Sequence, residues 1–265
     1  MTLSMQREGV RFDAVTKRFR RDDEMMTALK GVDLDIAVGE FVCVVGPSGC
    51  GKSTLLNLLS GLMEPSSGQI LMGGEPISRP NTSVGYMTQK DTLMPWRTVR
   101  RNIGLPLELA RMGSGESAKK IESMIATVGL TGFEESYPSQ LSGGMRKRVV
   151  LARTLIQEPT VLLADEPFGA LDAQLRMVLQ EELQRIWMAE HTTILFVTHD
   201  IAEAVTLADR VVVMSARPAT IKLDRRIDLP RPRDVYRINA TPEFTALVDE
   251  LWEALGDDIA RGEAI

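Results

Sequence analysis

Apolar positions along this chain follow two periods in turn, and the switches mark out its elements. Val10 to Val15 reads as a strand, and a basic turn, Lys17-Arg18-Arg20-Arg21, is expected after it. Leu34 and Ile36 alternate with Asp33 and Asp35, the signature of a half-buried strand. Val38-Gly39-Glu40 then turns the chain into an unbroken apolar run, Phe41 to Val45, which predicts a fully buried strand. Leu55-Leu56 and Leu58-Leu59 predict a helix ending near Gly61, with Pro65 beyond it. Ser66-Ser67-Gly68 leads to a short strand at Gln69 to Met72, closed into a hairpin by Gly73-Gly74, and Val84 to Met87 is a further strand.

The period then becomes helical. Val99 to Arg111 and Ser117 to Val128 predict helices separated by Gly113-Ser114-Gly115, and Ile121, Met124, Ile125 and Val128 share one face. Residues from about 90 to 155 therefore read as a helical subdomain inserted into a strand-and-helix core. That core returns at Thr160 to Ala164. A long amphipathic helix follows from Ala173 to Glu190, with Leu175, Leu179, Leu183 and Ile186 turned inward. Thr193 to Thr198 is another buried strand, Ile201 to Leu207 a short helix, and Val211 to Met214 a strand. Such alternation predicts an α/β fold with a mainly parallel sheet. Past Ala216 a strand or two and one helix are expected, that helix with Thr241 as N-cap and Pro242 at its first position. Arg225, Arg226, Arg231, Arg233 and Arg237 read as a solvated linker rather than a lipid-binding patch.

Composition adds exclusions. With 265 residues, 44% of them hydrophobic and 25% charged, the chain has the material for a sizeable core. A net charge of −5 argues against a general nucleic-acid coat. No window approaches the ~20 apolar residues of a membrane span, and the charged start from Met1 to Val10 has no apolar signal region. Cys43 and Cys50 are too few for a disulfide framework. A cytosolic setting is expected, which makes the glycosylation patterns at Asn81 and Asn239 chance matches.

The chemistry concentrates after the buried strand. Gly46-Pro47-Ser48-Gly49-Cys50-Gly51-Lys52-Ser53-Thr54 has the phosphate-loop spacing, between an apolar strand and an apolar helix. Gly46, Gly49 and Gly51 let the backbone curl and aim successive N–H groups at anionic oxygens, aided by the helix N-terminus. Lys52 supplies a point charge for the β- and γ-phosphates, and the Ser53 hydroxyl suits Mg²⁺. A nucleoside triphosphate is the expected ligand. Asp165 ends an apolar strand and is the expected holder of that metal. Glu166 beside it leaves a second carboxylate to polarise a water. His199 follows another strand end, where an imidazole can hydrogen-bond a phosphate oxygen. Ser142-Gly143-Gly144 opens a helix expected over Met145 to Ile156. This is a second anion-facing N-terminus, most simply used by a neighbour's nucleotide.

Gly46 to Thr54, Gln89, Leu141 to Gly144, Asp165-Glu166, Ala170-Leu171-Asp172 and His199 occur in the order found in ATP-binding-cassette ATPases, which this chain resembles over about residues 10 to 225. The resemblance implies a P-loop cassette with a mainly parallel sheet core, an N-terminal antiparallel β subdomain and an inserted α-helical subdomain. It puts the ATPase domain at 1–225 and a short one-helix extension at 226–265. It also implies two copies facing head to tail, with ATP and Mg²⁺ sandwiched between phosphate loop and opposing Ser-Gly-Gly. By position, Gly46 to Thr54 hold phosphates, with Ser53, Gln89 and Asp165 on the metal. Gln89 also contacts the water, Glu166 is the catalytic base, and His199 touches the γ-phosphate. Asp172 acts across the dimer, and Ser142, Gly143 and Gly144 meet the opposing nucleotide. Phe19 matches the aromatic that stacks on adenine, against the alternative of a core phenylalanine. Met145 stands where many members have glutamine, and Thr88 where phenylalanine is frequent.

Leu93-Met94-Pro95-Trp96-Arg97-Thr98-Val99 and Gly143-Gly144-Met145-Arg146 look like the nitrate, sulfonate and taurine importer branch. The expectation is a bacterial importer's ATPase subunit. It would sit peripherally on the cytoplasmic face of the cell membrane, with a separate permease and, indirectly, an external solute-binding protein, and no nucleic-acid partner. An exporter or lipid-handling ATPase and a soluble non-transport cassette are the alternatives. Two local expectations follow. Cys50, near Lys52 and a helix N-terminus, is expected to be a reactive thiolate. Trp96 is either an anchor for a permease helix or part of the subdomain core.

Overall fold

The computed structural model describes residues 9–21 and 24–262. In chain order it contains β1 (Val10–Arg21), β2 (Glu24–Ile36), β3 (Phe41–Val45), α1 (Lys52–Leu59), β4 (Ser67–Met72), β5 (Glu75–Pro76) and β6 (Val84–Met87). There follow α2 (Val99–Leu109), α3 (Ser114–Thr127), α4 (Gly143–Leu155), β7 (Val161–Asp165), α5 (Ala173–Glu190), β8 (Thr193–Val197), α6 (Ile201–Leu207), β9 (Arg210–Met214), β10 (Ile221–Arg226) and α7 (Pro242–Gly262). Two compact units result, one from Met1–Asn81 with Glu190–Ile265, the other from Thr82–Ala189.

The first unit holds two sheets. In the antiparallel one β1 lies between β2 and β4, with Val10 opposite Ile36 and Phe12 opposite Leu34, and β5 pairs with β4 across the Gly73-Gly74 turn. The basic stretch Lys17 to Arg21, expected as a turn, instead continues β1, with Phe19 opposite Met26 and Arg20 opposite Met25. Lys17 and Phe19 are half-buried while Arg18 and Arg20 face water, so the period-two alternation persists and the arginines need no desolvation. In the other sheet β3 pairs parallel with β8 and β9, and β10 closes the edge antiparallel to β9. Every side chain of β3 and β8 is buried, as a parallel strand covered on both faces requires. Phe41 and Phe196 meet across this pair with ring centroids 6.0 Å apart.

Of the five arginines expected in a solvated linker, Arg226 and Arg237 do face solvent, whereas Arg225 and Arg231 are half-buried and Arg233 is buried. Arg233 is 5% exposed. Its Nη1 donates to the carbonyls of Val205 (2.8 Å), Thr206 (3.2 Å) and Ala208 (2.6 Å), and its Nη2 to Ile227 O (3.1 Å). Arg231 donates from Nε and Nη2 to Asp209 Oδ1, at 3.1 and 2.8 Å. The physical reason is the short helix α6, whose last carbonyls have no intrahelical donor and sit where a cation is favoured.

In the second unit β6 and β7 pair parallel, Val84 opposite Val161 and Met87 opposite Ala164. Gly113-Ser114-Gly115, expected to separate two helices, does so only through Gly113. The Ser117 N–H donates to Gly113 O at 3.0 Å, so Ser114 and Gly115 form the first turn of α3. On α5, Leu179, Leu183 and Ile186 are buried and Leu175 is half-buried. Thr241 begins α7 as expected, its hydroxyl accepting from Phe244 N at 3.4 Å. Among the described residues no helix is long and apolar enough to cross a membrane.

Candidate functional site

In the first unit the loop Gly46 to Gly51 leaves the C-terminal end of β3, and Thr198-His199-Asp200 leaves that of β8, the adjacent parallel strand. Gly51 has φ +132°, a backbone region that side-chain-bearing residues rarely adopt, so the turn there demands glycine. Lys52, 5% exposed, folds back over the loop, its Nζ donating to Gly46 O at 2.8 Å and Pro47 O at 3.0 Å. Two loop carbonyls thereby hold the Lys52 ammonium against the loop, a positive charge placed where an anionic ligand is favoured. Ser53 is exposed and Thr54 half-buried on the first turn of α1, and Ser48 and Gly49 face solvent. His199 is exposed at its strand end. Asp200 caps α6, Oδ1 accepting from Glu203 N at 3.1 Å. Phe19 is half-buried, neither a core residue nor fully exposed, and the Lys17 ammonium lies 5.3 Å from its ring centroid.

Cys50 departs from the reactive thiolate expected of it. It is 2% exposed, and burial raises its thiol above the ordinary range, while Lys52 pulls in the opposite direction without prevailing. The loop curls its side chain inward, so desolvation outweighs the neighbouring charge.

In the second unit Gln89 follows β6 and Asp165-Glu166 ends β7, the two parallel neighbours. Gln89 Nε2 donates to Glu166 Oε2 at 3.3 Å, joining residues 77 apart in sequence. Glu166 has φ +43°, a left-handed backbone uncommon outside glycine. Asp165 is half-buried, and burial first, then its negative charge, holds the Tyr86 phenol above its usual range. Ser142 is the N-cap of α4, its hydroxyl accepting from Met145 N at 3.3 Å. The helix starts at Gly143, two residues before the expected Met145. Gly144 is buried rather than open, because a Cβ there would sit 2.3 Å from Leu175 Cδ1 of α5. Asp172 is exposed, and its Oδ1 accepts from Leu175 N at 2.9 Å.

Sequence reasoning missed the residues that hold these loops. Arg217 bonds the Gly49 carbonyl through Nη2, although 168 residues separate them. Lys147, Asp91, Arg146 and Arg153 gather around the segment that carries Gln89. Lys147 is the middle of a basic run, Arg146-Lys147-Arg148, and nothing in the sequence sets it apart from its neighbours.

A glycine-rich loop with its lysine at one parallel strand end, and a glutamate held by a glutamine at another, have the arrangement of a P-loop nucleoside-triphosphatase. Residues 29–169 match the family model described as ABC transporter. An uncharacterized ABC transporter ATP-binding protein of Methanocaldococcus jannaschii is 44% identical, over 95% of this chain and 93% of that protein. An aliphatic sulfonates import ATP-binding protein of Bacillus cereus is 45% identical over 84% of this chain and 88% of the relative. A nitrate import ATP-binding protein of Synechococcus elongatus is 43% identical over 92% and 90%. Among solved structures, a dimeric post-hydrolysis state of an ATP-binding cassette bound to ADP and phosphate superposes with a TM-score of 0.73. It is 30% identical, over 83% of this chain and all of that one. This chain belongs to the ABC transporter family, and it is an ATP-binding ATPase.

Proposed function

We propose that this chain is the ATP-hydrolysing subunit of an importer for a small anion of the nitrate, sulfonate or taurine kind. The contact of Gln89 Nε2 with Glu166 Oε2, 3.3 Å, carries the hydrolytic part, because it sets a water-binding amide beside a proton acceptor. The sulfonate and nitrate import activities for which those relatives are named carry the direction and the class of solute.

In this reading Gly46 to Thr54 bind the triphosphate, Lys52 neutralises its outer oxygens, and Phe19 stacks on the base. Glu166 accepts the proton of the attacking water as it adds to the γ-phosphorus. The bond to the β-phosphate oxygen breaks, leaving ADP and inorganic phosphate. Gln89 orients that water, and His199 hydrogen-bonds a γ-phosphate oxygen. The donor set fits Mg²⁺, since the Ser53 hydroxyl, the Gln89 amide oxygen and the Asp165 carboxylate are hard oxygens. Those three residues would hold the ion, which would neutralise charge on the triphosphate. Ser142, Gly143 and Gly144 meet the nucleotide of a second copy arranged head to tail, with Asp172 at that junction. The capped N-terminus of α4 supports this, as does the dimeric state named for the solved cassette. Residues 1–225 form the cassette, with the helical subdomain at about 90–155, and 226–265 extend it. A membrane permease on the cytoplasmic face is the driven partner, fed by an external binding protein.

The test is Glu166→Gln, which keeps the shape and removes the base. Turnover of the purified protein is expected to fall about 10²–10⁴-fold. ATP should still bind, and the ATP-loaded variant should run as a dimer on gel filtration. Near-normal turnover would falsify the role of Glu166. Uptake by vesicles holding the matching permease, with nitrate, taurine and an alkanesulfonate compared, tests the solute class, and export from such vesicles would overturn import.

A further inference from the structure

Thr88 to Thr98, which carries Gln89, has neither helix nor strand. Side chains hold it instead. Toward α2, the buried Asn102 accepts from Met94 N at 2.8 Å and donates to the carbonyls of Met94 (3.1 Å), Arg97 (2.8 Å) and Thr98 (3.1 Å). Toward Gln89, the grip comes from α4. Lys147 Nζ donates to Gln89 O at 2.6 Å and pairs with Asp91 Oδ1 at 2.9 Å. Arg146 Nε donates to Asp91 Oδ2 at 3.2 Å, and its Nη1 to Leu141 O at 2.7 Å. Farther along the helix, Arg153 Nη1 donates to Thr92 O at 2.7 Å.

Lys147 is the informative member, because it is only 3% exposed. Burying an ammonium is costly, and an ion pair often does no better than an apolar pair of the same volume. Its position has a mechanical consequence. Helix α4 begins at Ser142-Gly143-Gly144, and its second turn grips the backbone of Gln89, whose side chain touches Glu166. A helix is rigid over this distance, so a displacement of its N-terminus is delivered to Gln89.

We propose that Lys147 is a positioning residue that couples occupancy of the Ser142 end of α4 to the placement of Gln89 against Glu166, and so sets turnover without contacting nucleotide. This rests on the roles given above to Gln89, Glu166 and Ser142.

The experiment is a double-mutant cycle on the full chain, with ATPase kinetics and binding of a fluorescent ATP analogue. Lys147→Met, of similar length but without the ammonium, should lower kcat about 10–100-fold, the usual cost of misplacing a reacting group. KM and analogue affinity should stay within about twofold. In a Gln89→Ala background the same substitution should change kcat by less than about threefold, because the group it positions is already gone. Lys147→Gln, which keeps a donor for the Gln89 carbonyl, should restore most of the turnover. Equal losses in both backgrounds, or an unchanged kcat in Lys147→Met, overturn the proposal. Should Lys147→Met not fold, Asp91→Asn replaces it in the same cycle, and additivity with Gln89→Ala there is equally fatal. Glu166→Gln in parallel separates the failures. Normal turnover in that variant sinks the underlying reading, whereas its inactivity beside an unaffected Lys147→Met sinks the coupling alone.

Discussion

Two residues in the nucleotide loops show how strongly local environment sets chemistry. Glu166 adopts φ +43°, a conformation that costs a non-glycine residue on the order of 1 kcal/mol and persists only where its surroundings insist on it. Pro167, itself buried, follows directly, and Gln89 donates to the carboxylate. Cys50 shows the opposite balance, a side chain beside a cation that nevertheless stays a thiol. Burial dominates, and Cys43 in β3 is likewise buried, with its thiol raised well above the ordinary range by burial first. The prediction is that the native protein shows no fast-reacting thiol toward Ellman's reagent or a maleimide at neutral pH. Both cysteines should react at once in guanidinium. Reaction of Cys50 should quicken as pH rises, since a raised pKa keeps the thiolate scarce until higher pH. Rapid loss of ATPase activity to maleimide at pH 7, abolished in Cys50→Ser, would restore the reactive-thiolate expectation.

At the scale of elements, helix ends are where the chain places its polar side chains. Asp200 caps the start of α6, just after His199, while Arg233 takes the carbonyls at the end of the same helix. Burial pushes Arg233 down to about 10, with the like charge of Arg231 adding to it, so it stays protonated at neutral pH. Its guanidinium spans carbonyls from two chain segments, a geometry that depends on a planar fork. Arg233→Ala leaves several buried acceptors unpaired, at about 1–3 kcal/mol each. The expected result is a loss of at least about 3 kcal/mol in urea unfolding, with Arg233→Lys recovering only part of it. A variant as stable as the parent would show that water replaces the guanidinium at no cost. Helix α4 meets a different constraint, because Gly144 lets it approach Leu175 of α5 more closely than any Cβ allows.

At the scale of the whole molecule, one compact unit is assembled from both ends of the chain and the other from its middle. The middle unit leaves Trp96 71% exposed, with Leu109 and Tyr137 also at the surface, and this decides against packing of Trp96 in a subdomain core. Trp96→Ala is therefore expected to shift the stability of the isolated subunit by no more than about 0.5 kcal/mol and to leave its basal ATPase intact. In the proposed assembly it removes an anchor, with a loss of about 2–4 kcal/mol in permease binding. Thermal melts of the free protein beside pull-down by the permease check this. A large drop in melting temperature would return Trp96 to the core.

What the sequence alone determined is what repeats locally. Apolar period placed β3, β6, α5 and α6 nearly to the residue, because burial on one face imposes a spacing that no distant contact alters, and the Thr241-Pro242 pair placed the start of α7. The phosphate loop, Asp165-Glu166 and the Ser142 N-terminus were legible for the same reason, since strand end, glycine turn and helix start are adjacent in sequence. Tertiary structure decided everything that depends on which distant group arrives beside a polar one. It carried β1 through its arginines, turned Cys50 inward, and made Arg233 a bolt instead of a linker. It also brought Lys147 under Gln89, 58 residues away along the chain. A charge reads as solvated in a sequence because water is the usual partner, and only the fold shows where carbonyls and carboxylates have replaced it.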